Sequence, residues 1–218
     1  MKLKISEKYK KLIVDTGREL YKQNLTIGTW GNISALDPET GLIYIKPSAM
    51  DYNEINLEDI VVVNKKGEVI EGVRKPSIET PMHLAVYRVR KDVRAVVHYH
   101  SIYSSVLAVT GLTLPGISED FVQIVGNKVI CAKYALPGSE KLAKNAVVGL
   151  GKRNAVFLTN HGTLCVGKNM KEAMKVSYVV EKTAQIYILS KNVGKCKIIT
   201  EEDIKIMQDF AKNVYGKQ

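Results

Sequence analysis

Apolar residues recur at helical spacing through "SEKYKKLIVDTGRELYKQNL". Leu12, Ile13, Thr16 and Leu20 share one face, which predicts an amphipathic helix over residues 6–24. The period shortens beyond "GTWGNISALD", a glycine-bearing turn that leads into a strand. "GLIYIKPS" reads as a further strand, and "EDIVVVNKKGEVIEG" as a hairpin turning at Lys66-Gly67. "KPSIETPMHLAVYRVRKD" returns to helical spacing, with Ser77 as the expected N-cap and Pro81 in the first turn. An apolar run over 93–99 predicts a strand, and a short helix begins near Ser101. After a loop containing "LPGISED", "NKVICAKY" reads as one strand and "GSEKLAKNAVVGLG" as a helix capped by Ser139. "NAVFLTNHGTLCVG" predicts two strands broken at His161-Gly162. A long helix over 170–191 and a last helix capped by Thr200 complete the pattern. No linker, repeat or low-complexity tract interrupts 1–218, so one α/β domain is expected, with a mixed sheet covered by helices.

Composition narrows the class. The chain is 45% hydrophobic and 25% charged, enough apolar residues for a real core and too many charges for a membrane span or signal peptide in "MKLKISEKYKKLIVDTG". A cytoplasmic protein with no membrane partner is expected. The net charge of +10 raises nucleic acid as a partner, but the lysines are scattered along helical patterns and no stacked-aromatic signature accompanies them. A solvated basic surface is the reading, with no nucleic-acid partner; such a field attracts anions. Cys131, Cys165 and Cys196 are odd in number and far apart, which argues against a disulfide framework or a cysteine metal site.

Histidine changes the picture most. Only four occur, and two of them, His98 and His100, stand one residue apart at the end of an apolar strand in "VRAVVHYHSIYSS". Side chains at i and i+2 of a strand share a face. His161 follows another apolar strand, "AVFLTN", so three imidazoles from strand ends are candidates for one metal with an open position. Neutral imidazoles favour zinc over magnesium or calcium, which prefer oxygen. Glu79 is a candidate fourth ligand. His83, one turn further along the helix, is read as a hydrogen-bond partner of Glu79 or as a packed side chain.

"GTWGNIS" (28–34), "KPS" followed by Glu79, "HYH" (98–100) and "NHG" (160–162) occur in the order and spacing of the class II aldolase/adducin-type family. The whole chain resembles that family, and most closely its L-fuculose-1-phosphate aldolase branch. The resemblance implies a three-layer α/β fold with a largely antiparallel sheet, assembled as a homotetramer with sites at subunit interfaces. It implies one zinc ion per subunit held by His98, His100 and His161, with Glu79 as resting fourth ligand and then as acid/base. It also implies a substrate-phosphate pocket built from Thr29, Gly31, Asn32, Ser48, Ala49 and Ser77. The implied reaction is cleavage of a ketose 1-phosphate to dihydroxyacetone phosphate and a short aldehyde such as L-lactaldehyde.

The match has departures. Ala49 and Ile78 stand where that branch has small or hydroxylic residues, so Ala49 has only a backbone N–H to offer. Glu119 replaces a tyrosine that serves as proton donor there, and an acidic residue at this place resembles the ribulose-5-phosphate 4-epimerase and methylthioribulose-1-phosphate dehydratase branches. Glu119 is therefore a candidate catalytic acid, and Tyr215, matching the family's C-terminal tyrosine, is another. A Schiff-base role for Lys133 and a non-catalytic adducin-like interaction domain are the remaining alternatives. A retained set of metal-binding residues argues against both.

Overall fold

The computed structural model describes residues 4–213. Helix α1 (Glu7–Lys22) leads into β1 (Asn32–Leu36), β2 (Ile43–Ile45) and the hairpin β3 (Val61–Val63) and β4 (Val69–Glu71). Helix α2 (Thr80–Val89), β5 (Ala95–Tyr99) and α3 (Ile102–Thr110) follow. Next come β6 (Leu114–Pro115), α4 (Glu119–Ile124), β7 (Lys128–Val129), β8 (Cys131–Ala132) and α5 (Glu140–Leu150). Strands β9 (Ala155–Leu158) and β10 (Gly162–Gly167) precede α6 (Met170–Val193) and α7 (Glu201–Asn213).

Eight strands form one sheet in the order β4-β3-β2-β1-β5-β10-β9-β8, antiparallel throughout except for the parallel pair β8–β9. The sheet is therefore mixed and largely antiparallel, as expected. Its central strands are buried on both faces, which explains their unbroken apolar runs. Along β5 the alternation still sorts the side chains. Ala95, Val97 and Tyr99 join the core beneath α1, α3 and α6, whereas Val96 faces the second core beneath α2 and α5. His98 shares the parity of Val96 and so points to the α2 side.

Three local expectations need correction. Ser77 does not cap α2: the helix begins at Thr80 with Glu79 at the N-cap, and Ser77 Oγ instead accepts the Glu79 N–H at 3.3 Å. "NKVICAKY" is not one strand. Lys128–Val129 pairs with Leu114–Pro115 in a small separate sheet, and Cys131–Ala132 pairs with β9. The segment expected as a loop at "ISEDF" contains the short helix α4, too brief to show a helical period and held by packing against α6 and α7. The caps at Ser139 and Thr200 form as expected, Ser139 Oγ accepting from Leu142 N and Thr200 Oγ1 from Asp203 N, both at 3.1 Å. No helix among the described residues is long and apolar enough to cross a membrane.

Candidate active site

Strand register assembles the site. In the sheet Asn32 of β1 lies directly across from His98 of β5, and Leu164 of β10 lies on the other side of it. Thr163, one residue before Leu164, turns its carbonyl toward His98 Nδ1 at 2.9 Å. A carbonyl only accepts, so Nδ1 carries a proton and Nε2 is the nitrogen turned toward the neighbouring imidazoles. His98 Nε2 stands 2.8 Å from His100 Nε2, and one nitrogen from each of His98, His100 and His161 lies within 4.8 Å of the others.

Glycine permits this crowding. A Cβ on Gly162 would fall 2.6 Å from His100 Cδ2 and 2.6 Å from the Tyr99 carbonyl oxygen. Gly31, at φ +74°, would place one 2.6 Å from the His98 carbonyl oxygen. Thus "GTWGN" and "NHG" each supply a glycine that lets backbone close on the histidine strand. Gly162→Ala is expected to push His100 aside and weaken metal affinity by about 10–100-fold, the range for disturbed support around a metal site. Chelator competition on the purified variant measures this, and unchanged affinity would show that the backbone yields instead.

Glu79, at the N-cap of α2, turns its carboxylate into the cluster instead of capping its own helix. Oε2 lies 3.1 Å from His98 Nε2 and accepts from Asn32 Nδ2 at 2.8 Å; Oε1 lies 3.3 Å from His161 Nε2. Burial opposes the charge on Glu79, but His98, His161 and the Asn32 amide together hold its carboxyl well below the usual carboxylate range. Burial, reinforced by the neighbouring imidazoles, lowers His100 to about 3 and His161 to about 4, which keeps both lone pairs free at neutral pH.

These residues fit a divalent cation. Among the described residues Glu79 Oε1 is buried without a hydrogen-bond partner, and His98 Nε2 and His100 Nε2 approach each other where a shared cation would draw on both. Three neutral imidazoles and one carboxylate form a donor set suited to zinc or another borderline ion.

The same cluster forms part of a cavity of about 560 Å³, lined by Thr29, Gly31, Asn32, Ser48, Ala49 and Ser77 together with Glu79, His100 and His161. All six expected phosphate-pocket residues therefore meet there. Backbone bonds knit their segments together: Ser48 N donates to Lys75 O at 3.0 Å and Ser77 N to Lys46 O at 3.2 Å. Ala49 sits at φ +54°, a left-handed conformation unusual for a residue other than glycine. Trp30, 65% exposed, leans over His100 with ring centroids 5.9 Å apart.

Lys46 also lines this cavity and was not singled out from the sequence. Its signal was parity: in "IYIK" it is in phase with buried Tyr44, a place where an alternating strand expects an apolar side chain. Nζ donates to the Thr29 and Pro47 carbonyls, each at 3.2 Å, and lies 4.7 Å from the centre of the Tyr52 ring. Burial lowers its pKa to about 8, against the opposing pull of Asp51.

A further carboxylate secures the approach to His100. Glu181 of α6 accepts from the backbone N–H groups of Tyr103 and Ser104, each at 2.9 Å, and from the Ser101 and Ser104 hydroxyls, each at 2.6 Å. It holds the start of α3 directly after the histidine strand.

Not every candidate residue enters the cavity. Glu119 is exposed in the first turn of α4 and is absent from the lining, while neighbouring Asp120 pairs with Lys182 and accepts from Ser118. Tyr215 lies outside the described residues. His83 bonds neither to the metal cluster nor to the Glu79 carboxylate; its partners are Asn32 and Ser34.

The buried histidines carry a pH prediction for the chelator-treated protein. Burial, with the nearby His98, lowers His83 to about 3, and with His100 and His161 it takes up protons far below the ordinary 6.5. Below pH 6.5 the unfolded chain therefore binds more protons at these three positions, and stability falls with pH. Glu79 adds a further loss below its ordinary 4.5. His98 acts oppositely: burial opposes its charge but Glu79 raises its pKa, so its contribution is present below 6.5 and fades as pH rises. Three groups outweigh one, and Tm is expected to drop steadily as pH is lowered from 6.5 toward 4. A flat melting profile over that window would contradict the assignment.

Comparison with known proteins agrees with this architecture. Residues 11–188 match the family described as class II aldolase and adducin N-terminal domain. The 5-deoxy-D-ribulose 1-phosphate aldolase of Bacillus thuringiensis serovar kurstaki is 42% identical, covering 97% of this chain and 99% of that protein. An L-ribulose-5-phosphate 4-epimerase of Salmonella paratyphi B is 29% identical over 86% of this chain and 87% of its own. Among solved structures, an L-fuculose 1-phosphate aldolase superposes with a TM-score of 0.93 at 38% identity, covering 95% of this chain and 98% of that one.

Proposed function

Because the chain belongs to the class II aldolase and adducin N-terminal domain family, we propose that it cleaves a short deoxyketose 1-phosphate between C3 and C4, giving dihydroxyacetone phosphate and a small aldehyde. It is an enzyme of the metal-dependent aldehyde-lyase class. The observation that carries the reading is the convergence of three imidazoles and a buried carboxylate at a cavity that also presents hydroxyls, the Asn32 amide and the buried Lys46 ammonium. The two aldolase relatives are named for 1-phosphates of ketoses that end in a methyl group, 5-deoxyribulose and fuculose. Cleavage of the first kind releases acetaldehyde and of the second lactaldehyde. The higher identity favours the shorter sugar.

His98, His100 and His161 would hold one zinc ion per subunit, with Glu79 as the resting fourth ligand. When bound, the ion supplies Lewis-acid chemistry, drawing off the negative charge that develops on the ketone half as the C3–C4 bond breaks. Thr29, Asn32, Ser48 and Ser77 offer side-chain donors to the phosphate, Gly31 and Ala49 their backbone N–H groups, and Lys46 its charge. Binding there fixes the sugar with its reacting carbons toward the histidines.

Cleavage removes a proton from the C4 hydroxyl and requires one at C3. Glu79, adjacent to the cluster, takes a proton from water and delivers it to C3 in cleavage; in the reverse condensation its ionised carboxylate removes that proton. Glu119 or Tyr215 of a neighbouring subunit would exchange the proton at the C4 oxygen. A homotetramer with sites between subunits agrees with the exposed apolar stripe Ile102, Val106 and Val109 along α3. The reaction is placed in the cytoplasm, on a small sugar phosphate.

The test is metal content of the purified protein followed by coupled detection of dihydroxyacetone phosphate from 5-deoxyribulose 1-phosphate and fuculose 1-phosphate. About one zinc per chain with chelator-sensitive release supports the reading. A second reading is favoured by the epimerase relative: the same residues could break and remake the bond without releasing product. Isomerised ribulose 5-phosphate with no dihydroxyacetone phosphate from either ketose 1-phosphate would select it, and a dehydrated ketose would select the dehydratase branch.

A further inference from the structure

His83 stands outside the metal cluster, yet it is fully buried and both ring nitrogens are engaged. Nε2 lies 2.6 Å from Asn32 Oδ1 and Nδ1 lies 2.6 Å from Ser34 Oγ. Ser34 Oγ in turn lies 2.8 Å from the Tyr87 hydroxyl, which also reaches the Ser34 carbonyl at 3.1 Å. At the opposite end Asn32 Nδ2 donates to Glu79 Oε2 at 2.8 Å. Two simple periodicities create this line of bonds. Asn32 and Ser34 share a face of β1, while Glu79, His83 and Tyr87 recur every fourth residue down one side of α2. All five side chains are buried, so bulk water does not compete for their partners.

The line has one direction. An ionised Glu79 only accepts, so Asn32 must turn its NH₂ toward it and its Oδ1 toward His83. Oδ1 also only accepts, which places the His83 proton on Nε2. Nδ1 is then an acceptor, Ser34 donates to it, and the Tyr87 hydroxyl donates to the Ser34 oxygens. The reverse direction would set the Asn32 carbonyl against the Glu79 carboxylate, two buried acceptors face to face.

We propose that His83 is a positioning residue: as the Nε2–H tautomer it holds the Asn32 amide with its NH₂ toward Glu79, and so pins Oε2 and fixes the orientation of the carboxylate that moves the proton. The proposal rests on the reading of Glu79 as the proton carrier. It gives the two buried histidines opposite tautomers, His98 protonated at Nδ1 and His83 at Nε2, for opposite tasks.

Two measurements on the full-length zinc-loaded protein decide it. Long-range nitrogen–proton NMR of the imidazoles reports which nitrogen of His83 bears hydrogen, and Nε2 is expected. In parallel, His83→Phe, which keeps bulk and loses both polar contacts, is expected to lower kcat by about 10–100-fold per metal-loaded chain, the range for disturbed support of a metal site. KM and zinc per chain should stay near wild type, a split that general loss of structure would not produce. His83→Gln, whose side-chain amide can still donate toward Asn32, should recover much of the loss. A proton on Nδ1, or His83→Phe with kcat within about twofold of wild type, overturns the proposal. If His83→Phe fails to fold, the NMR assignment and His83→Gln still decide. A wild-type protein with no lyase activity would sink the functional reading alone, and the tautomer would still show which way the line runs.

Discussion

Replacing His98 by alanine is expected to remove bound metal and lyase activity together. Its imidazole is fully buried, its Nδ1 is committed to the Thr163 carbonyl, and its Nε2 lies within 3.1 Å of both His100 and Glu79. Without it the Thr163 carbonyl and the Glu79 carboxylate are left with fewer partners. One buried acceptor stranded in this way costs about 1–3 kcal/mol. The catalytic loss is larger. Lewis-acid stabilisation is worth several kcal/mol, and at about 1.4 kcal/mol per tenfold this amounts to about 10³-fold or more in rate.

His100→Ala separates the two effects. His100 stands just past the strand end and is only half-buried, so its removal should abolish metal binding with a much smaller fall in Tm. Metal content and melting temperature measured on both variants check this. Full activity in a metal-free variant would end the Lewis-acid reading.

Glu79→Gln is expected to lower kcat by about 10²–10⁴-fold, the usual worth of a general acid or base. The amide has nearly the same shape, and its carbonyl can still accept from Asn32 Nδ2, so the fold and the three imidazoles should persist. The residues expected to hold the phosphate are unchanged, so KM should move little. What disappears is the proton site: an amide takes up no proton at the enediolate carbon. Kinetics at saturating zinc, with metal counted per chain, give the result. Unchanged turnover would remove Glu79 from the chemistry.

The two variants also show how far local pattern reached. His98 and His100 drew attention because two of four histidines ended one apolar strand, and period two already put them on one face. That parity carried over directly, since strand alternation is a property of the backbone. The longer helices, the hairpin at Lys66-Gly67, the caps at Ser139 and Thr200 and the break at His161-Gly162 were likewise legible from local pattern. The six residues expected around the phosphate came from motif resemblance, and they line one cavity with the histidines.

Failures fell where competition between neighbours decides. Ser77 has the chemistry of a helix cap, but the bridge between Pro47 and Pro76 draws its segment toward β2, and the helix starts at Thr80. Six residues of α4 carry too little periodic signal to be distinguished from a loop. Lys46 was not singled out, although its parity with Tyr44 pointed inward. His83, read as a hydrogen-bond partner of Glu79 or as a packed side chain, is packed and does not bond to the Glu79 carboxylate. Asn32, forty-seven residues upstream of Glu79, comes between them.

By itself the sequence determined the periodicities, the faces on which the histidines, Asn32, Glu79 and His83 would stand, and the glycines that tolerate close backbone contact. Tertiary structure decided which element covers each face. The α2 side of the sheet brings Asn32 against Glu79 and His83, and β10 brings Thr163 against His98. The reason is physical. Dihedral preferences act between adjacent residues and set the facing of a side chain, whereas its partner is chosen by packing between segments far apart in the chain.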